Sequence, residues 1–302
     1  MTPRISFAIP YFQGKNFLLN TLRSVQAQTD PNWEVVVVDD AGPDDASQVV
    51  ASLNDPRISY VRELKNVGLA ANWNRSLAAT TAPYVTILHA DDILLPNYAA
   101  MMLQLLDANP RAAASHCGVE IIDELGAPKR TVVDFVKKVI MPKGSSDIIS
   151  SGEAGAVRLL RGSWIYCPTI CYRRACFPES GFDSQWGFVV DLDLLVRFML
   201  TEHSIAGRSE VGLQYRRHDD AQTSILTKSL IRFQEELTYY DRVALVARQH
   251  GWERLEIVAR RAAMVRLHAA YHGLMLLLHG DLGGARRAIA LGIKGTKNGT
   301  LS

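Results

Sequence analysis

The sequence predicts an α/β fold: a mostly parallel, doubly wound central sheet with helices on both faces, followed by an α-helical C-terminal extension. Three observations carry this. Strand-like and helix-like segments alternate from Ile5 to Ile122, the order that builds an open sheet with crossover helices. The segment Trp33 to Val38 runs through four consecutive valines without alternation, as a strand buried on both faces does. Two acidic pairs, Asp39-Asp40 and Asp91-Asp92, each close a strand-like run, and ligands of such sheets bind beyond the carboxyl ends of strands.

The elements follow in order. Ile5 to Pro10 is a short apolar strand that proline ends. Asn16 to Gln28 places Phe17, Leu18, Leu22 and Val25 at helical spacing. After the valine strand come a helix over Asp44–Leu53, a strand over Ile58–Arg62, a helix over Val67–Ala79 and a strand over Tyr84–Leu88. A helix follows Pro96, which suits a first turn, and Ala112–Ile122 reads as a fifth strand. Thr131 to Gly152 has weak periodicity and mixed charge, and Pro142–Ser146 reads as a mobile loop. Short helices are expected over Glu153–Arg161 and Phe188–Leu200, with a last strand over Val211–Tyr215. From Ser229 the pattern is helical to about residue 294, broken at His279-Gly280-Asp281.

Composition narrows the function. With 48% hydrophobic and 21% charged residues in 302, the chain is too apolar for disorder and long enough for a large core. Net charge is +2, which does not point to nucleic acid as a partner. The charge is uneven: Lys228 to Ser302 carries 12 basic and 6 acidic residues, leaving 21 and 25 in residues 1–227. The expected division is a catalytic domain over 1–227 and a helical extension over 228–302. Four cysteines, Cys117, Cys167, Cys171 and Cys176, are too few for a disulfide scaffold and lack the two short pairs of a zinc ribbon. Reduced cysteines, no apolar signal region at Met1–Arg4 and no run of ~18 apolar residues point to a cytoplasmic protein. Four carboxylates at one sheet edge repel one another. A divalent metal and a ligand rich in N–H and hydroxyl donors would satisfy them.

The motifs resemble those of family-2 glycosyltransferases of the GT-A fold, a Rossmann-like architecture. The resemblance rests on Ile9-Pro10-Tyr11-Phe12, on Thr21–Thr29 followed by Trp33–Asp40, and on Asn66-Val67-Gly68-Leu69-Ala70. It continues through His89–Pro96, Gly181-Phe182-Asp183, Asp191-Leu192-Asp193 with Arg197, and Tyr215–His218 with Ser224. The blocks stand in the family's order over roughly residues 4–226.

The resemblance implies an inverting glycosyltransferase whose donor is a nucleotide-diphosphate sugar. Pro10, Tyr11, Asp39, Asp40, Asn66 and Asp91 would form the nucleotide-binding set, with Asp39 accepting from a base N–H. Asp91 would coordinate Mg²⁺ or Mn²⁺, with Asp92, His89 and His218 as further candidates. Asp191 would be the general base that deprotonates the hydroxyl of a saccharide or lipid-linked acceptor. By analogy the pathway is cell-surface polysaccharide or glycolipid assembly. Two positions depart from the pattern: His89 stands where the family often has Asp, and Val190 where it often has Glu. They prompt the alternative of a degenerate sugar-nucleotide-binding scaffold, against which Asp39, Asp91 and Asp191 stand. A sugar nucleotidyltransferase would want a Gly-rich phosphate loop, for which Gln13-Gly14-Lys15 is too short, and no Gly-x-Gly-x-x-Gly supports a dehydrogenase. In the extension, Phe233, Leu237, Tyr240 and Ala244 form one stripe and Leu282, Ala285, Ile289 and Ile293 another. Both are expected to pack inward. The basic excess offers peripheral contact with the inner face of an anionic membrane as the alternative.

Overall fold

The computed structural model describes residues 2–141 and 147–294. The expected Pro142–Ser146 loop lies outside the described residues. The first half alternates as the sequence predicts: β1 (Ile5–Tyr11), α1 (Lys15–Gln26), β2 (Trp33–Asp39), α2 (Ser47–Ser52), β3 (Ile58–Arg62), α3 (Leu69–Ala78) and β4 (Tyr84–Ile87). A two-residue strand β5 (Ile93–Leu94) then precedes α4 (Tyr98–Ala108) and the long β6 (Ala112–Ile122).

The stretch of weak periodicity contains α5 (Val132–Ile140) and β7 (Ile148–Ser151), ahead of α6 (Gly152–Leu160). Thr131 caps α5 by accepting from the Asp134 amide. Val132, Phe135, Val136 and Val139 do recur at helical spacing, but the structure turns this apolar stripe to solvent and Asp134 inward, the reverse of the usual amphipathic helix. A three-residue strand, β8 (Cys171–Arg173), is also new; the four cysteines are free thiols. Next come α7 (Val190–Leu200) and β9 (Ser204–Arg216), which is longer than Val211–Tyr215. The described residues close with α8 (Gln222–Lys228), α9 (Ile231–Gln249), α10 (Glu253–Arg261), α11 (Ala263–Leu278) and α12 (Leu282–Lys294).

The strand order is β3-β2-β1-β4-β8-β6-β9-β5, with β7 also on β9. Strands β3, β2, β1 and β4 run parallel to one another, as do β6 and β9, while β5 and β7 pair antiparallel with β9. The antiparallel β8 joins the two groups by pairing with both β4 and β6. Continuous apolar strands serve two faces. Ile5, Phe7 and Ile9 of β1 pack with Leu18, Leu22 and Met102 of α1 and α4. Ala8 faces the opposite core with Trp73, Leu195 and Phe198 of α3 and α7. That second core also takes Phe233, Leu237, Tyr240 and Ala244 of α9, the first expected stripe. Tyr240 donates from its hydroxyl to the Leu160 carbonyl at 2.8 Å, tying α9 to α6. The second stripe is divided: Ala285 is buried and Ile289 closes on Gly273 of α11, whereas Leu282 and Ile293 are exposed. Among the described residues no helix is long and apolar enough to cross a membrane.

Candidate active site

Strand order reverses between β1 and β4, and the crevice beyond their carboxyl ends is where such sheets bind ligands. Register sets Tyr11 beside Asp39, and Pro10 beside Val38. Asp39 is fully buried. Its Oδ1 accepts from the Gly42 amide at 3.0 Å, and its Oδ2 from the Tyr60 hydroxyl at 2.6 Å and Arg62 Nη1 at 2.8 Å. An ionised carboxylate has about four acceptor positions, and these three donors fill most of them. Gly42 is obligatory here: a Cβ would come within 1.5 Å of the Phe12 carbonyl oxygen. The Tyr11 hydroxyl is buried without a hydrogen-bond partner, and burial, then nearby Asp44, pushes its pKa up.

Asp40 and Asn66 hold the rim. Asp40 accepts from the Val67 and Gly68 amides at 2.7 and 3.1 Å, and Asn66 Oδ1 from the Gly68 amide at 2.9 Å. Together they fix the entry to α3, where Gly68 has φ +86°.

Across the crevice, His89, Asp91 and Asp92 present ligand atoms that all lie within 4.8 Å of one another. Their backbone is held from both sides. Thr21 of α1 donates to the Asp92 and Ala90 carbonyls at 2.7 and 3.0 Å. Arg216 donates its amide to Asp92 Oδ1 at 2.8 Å and its Nε to the Asp91 carbonyl at 2.8 Å. His218 Nε2 lies 2.9 Å from Asp91 Oδ2. His89 Nδ1 is 3.7 Å from Asp92 Oδ2, and its ring lies beside Trp73. Two buried atoms are orphans, Asp92 Oδ2 and His89 Nε2. Burial, then the neighbouring Asp91 charge, pushes the Asp92 carboxyl well up. Burial also acts to raise Asp91, but the His218 hydrogen bond and the two histidine charges outweigh it and leave its pKa lowered. The His218 bond to Asp91 raises the imidazole. Two carboxylates and an imidazole, with one atom of Asp92 and one of His89 unpartnered, are a donor set that fits a divalent cation.

Asp191 stands apart, half-buried in the first turn of α7. Its pKa is raised by burial, against the helix amides, the Lys137 charge and the Cys167 thiol. Cys167 links the two sides, since burial and then the charges of Asp191 and Asp92 push its thiol up. The other carboxylate of this block, Asp193, is paired with Arg197 at 2.8 Å.

Three groups escaped the sequence reading. Glu235 of α9 accepts from the Gly187, Phe188 and Val189 amides at the head of α7. Asp134 of α5 pairs with Arg217 and accepts from the Tyr166 hydroxyl. Lys137 lies over the Tyr166 ring, 3.9 Å from its centre. Tyr60 and Arg62 on edge strand β3 carried a weak signal, polar residues two apart at a strand end.

The chain is 26% identical over 237 residues to an uncharacterized glycosyltransferase of Rickettsia typhi, covering 77% of this chain and 70% of that one. It is 32% identical over 103 residues to the Escherichia coli colanic acid biosynthesis glycosyl transferase WcaA, spanning 33% of this chain and 37% of WcaA. The fold matches the Pyrobaculum calidifontis mannosyltransferase PcManGT, solved with GDP-Man and Mn²⁺. The TM-score is 0.62 at 17% identity, over 96% of this chain and 81% of that one. Residues 6–160, just over half of the chain, match the model of glycosyl transferase family 2. The chain belongs to that family and is a glycosyltransferase.

Proposed function

We propose that this enzyme transfers a sugar, with inversion, from a nucleoside-diphosphate sugar to a hydroxyl of a saccharide or lipid-linked acceptor in cell-surface polysaccharide or glycolipid assembly. The observation that carries the reading is the pair of orphaned buried atoms, Asp92 Oδ2 and His89 Nε2, beside Asp91. PcManGT's GDP-Man and Mn²⁺ support the donor class, and WcaA's name supports the pathway. Asp39 accepts from the base, with Pro10 and Tyr11 along the nucleoside and Asp40 and Asn66 holding the rim. Asp91, Asp92 and His89 would hold Mg²⁺ or Mn²⁺, whose charge would offset that on the leaving diphosphate. His218 orients Asp91. Asp191 takes the acceptor proton as its oxygen bonds to the anomeric carbon and the bond to the diphosphate breaks on the opposite face. Residues 1–227 carry this chemistry, and 228–302 brace it.

The enzyme works on the cytoplasmic side, touching an anionic membrane through the α11–α12 hairpin. Leu267, Tyr271, Leu274 and Leu278 form an exposed stripe along α11. Arg260, Arg261, Arg286 and Arg287 on the adjoining α10 and α12 are exposed, Arg260 paired with Glu256. The one acidic side chain of residues 257–294, Asp281, caps α12 through the Gly284 amide.

A thermal-shift panel of nucleotide sugars with Mn²⁺ tests the donor reading, since a native-state ligand raises apparent stability. Sugar transfer by Asp91→Ala and Asp191→Asn variants tests the roles. Undiminished transfer by both would refute them.

A further inference from the structure

We propose that Lys137, with Arg217 and Arg232 beside it, forms an oxyanion site on the acceptor side of Asp191, and that the acceptor carries a phosphate. The inference rests on the reading of Asp191 as the base and names the class of acceptor it serves.

Helix α5 is pinned over the crevice by Asp134, which accepts from Arg217 Nε at 2.8 Å and from the Tyr166 hydroxyl at 2.7 Å. Lys137, one turn on, has only an aromatic face beneath it. Its ammonium sits 3.9 Å from the Tyr166 ring centre, and no ion pair among the described residues includes it. Arg232 also lies on an aromatic face. Its guanidinium lies over the Phe188 ring at 4.4 Å and reaches both Glu236 oxygens, each at 3.4 Å, which leaves Lys137 as the cation of the cluster without a carboxylate contact.

Electrostatics agree with this geometry. Burial, then the like charges of Arg232 and Arg217, lower Lys137 to about 8, and Asp191 and Asp134 do not offset them. Burial lowers His268 on α11 to about 3, and Arg232, Lys137 and Arg217 add to the effect. A bound oxyanion would relieve this excess of positive charge. The three side chains offer donors and no acceptor, so they suit a phosphate better than neutral sugar hydroxyls, which also donate.

Two of the three cations lie toward Asp191: Lys137 lowers its carboxyl, and Arg232 covers Phe188, three residues before it. Arg217 also lowers Asp92 and so borders the metal cluster. The outer face of the same helix is an apolar stripe of Val132, Phe135, Val136 and Val139, with Phe135 67% exposed. A phosphate at Lys137 could therefore head a lipid lying along that stripe or belong to a soluble phosphorylated saccharide.

The test is calorimetric titration of the intact chain with octyl phosphate, glucose 1-phosphate and the neutral octyl glucoside. Lys137→Ala and Lys137→Arg variants are compared with the wild type. Both phosphates should bind the wild type, and Lys137→Ala should weaken them by about tenfold or more. Lys137→Arg should retain them, and the glucoside should be indifferent to either change. Tighter binding of octyl phosphate assigns a lipid source, and tighter binding of glucose 1-phosphate a soluble one. Unchanged phosphate affinity in Lys137→Ala overturns the proposal. So does a loss confined to nucleoside diphosphate with Mn²⁺, which would place the cluster on the donor. If instead no nucleoside diphosphate binds the wild type with Mn²⁺, the donor reading itself fails, whatever the phosphate probes do.

Discussion

The Glu235 carboxylate accepts a hydrogen bond from the Val189 amide at 2.9 Å, two residues before Asp191. It also accepts from the Gly187 and Phe188 amides. These amides lead into α7, which begins at Val190, and a helix dipole favours an anion at that end. Helix α9 thus anchors the entry to the helix that carries the proposed base. Glu235→Ala should lower stability by about 1–3 kcal/mol, the cost of leaving buried donors unmet. It should reduce kcat more than donor KM, because α7 moves while the nucleotide pocket does not. Glu235→Gln keeps an acceptor and should fall between. Denaturant unfolding and steady-state kinetics on the two variants check this; equal kcat in all three chains would separate this anchor from catalysis.

The Asp191 carboxyl is raised, chiefly by burial. A base must be ionised, so the acid limb of kcat against pH should lie above the ordinary aspartate value of about 3.9. Lys137 favours the ionised form, so Lys137→Ala should move the limb higher still. Stability has the opposite sign. A carboxyl raised by folding costs nothing below its unfolded pKa and destabilises the fold once pH exceeds its folded pKa. Asp191→Asn should therefore raise Tm at pH 8 while lowering kcat by about 10²–10⁴-fold. A limb at or below the ordinary value would remove the assignment.

Mn²⁺ without nucleotide should already stabilise the chain, because Asp92 Oδ2 and His89 Nε2 are buried and unpartnered. At a hundredfold excess over Kd the gain is about 2.7 kcal/mol. Asp91→Ala should abolish most of that shift. Asp92→Asn should raise metal-free stability, since a carboxyl raised by burial and by Asp91 is replaced with a neutral group. Scanning calorimetry with and without Mn²⁺ and EDTA measures both effects; a shift that survives Asp91→Ala would place the ion elsewhere.

What was legible in the sequence was whatever local chemistry determines. Four valines in a row require a strand covered on both faces, and Asp39 and Asp91-Asp92 stand at strand exits because chain order alone puts them there. The stripe Phe233, Leu237, Tyr240 and Ala244 is buried as its period implies. Helix α5 inverts the usual rule, with valines outward and Asp134 inward against Arg217, a residue 83 positions away. Glu235 reads as one more helix-surface charge until α9 is laid against α7, 46 to 48 residues back. Pairings of that range leave no periodicity to read. Strand β8, three residues joining two parallel groups, is too short for any pattern.

The α11–α12 hairpin leads to the last prediction. Leu267, Tyr271, Leu274 and Leu278 recur at three- and four-residue spacing on the exposed side of α11. The buried Val265, Ala269 and Gly273 face α9 and α12 instead. A solvent-facing stripe of this size among arginines fits an interface of acyl chains beneath anionic headgroups. Each basic side chain near such a surface contributes about 1 kcal/mol, screened over a Debye length of about 8 Å in physiological salt. Liposomes with anionic lipid should carry the chain to the top of a density gradient, and neutral liposomes should carry less. Leu274→Glu with Leu278→Glu should abolish flotation without changing Tm, since both side chains are already exposed. Arg286→Glu with Arg287→Glu should weaken flotation most at low salt. Flotation that ignores lipid charge would remove the arginines from the contact, and flotation that survives the leucine changes would remove the stripe.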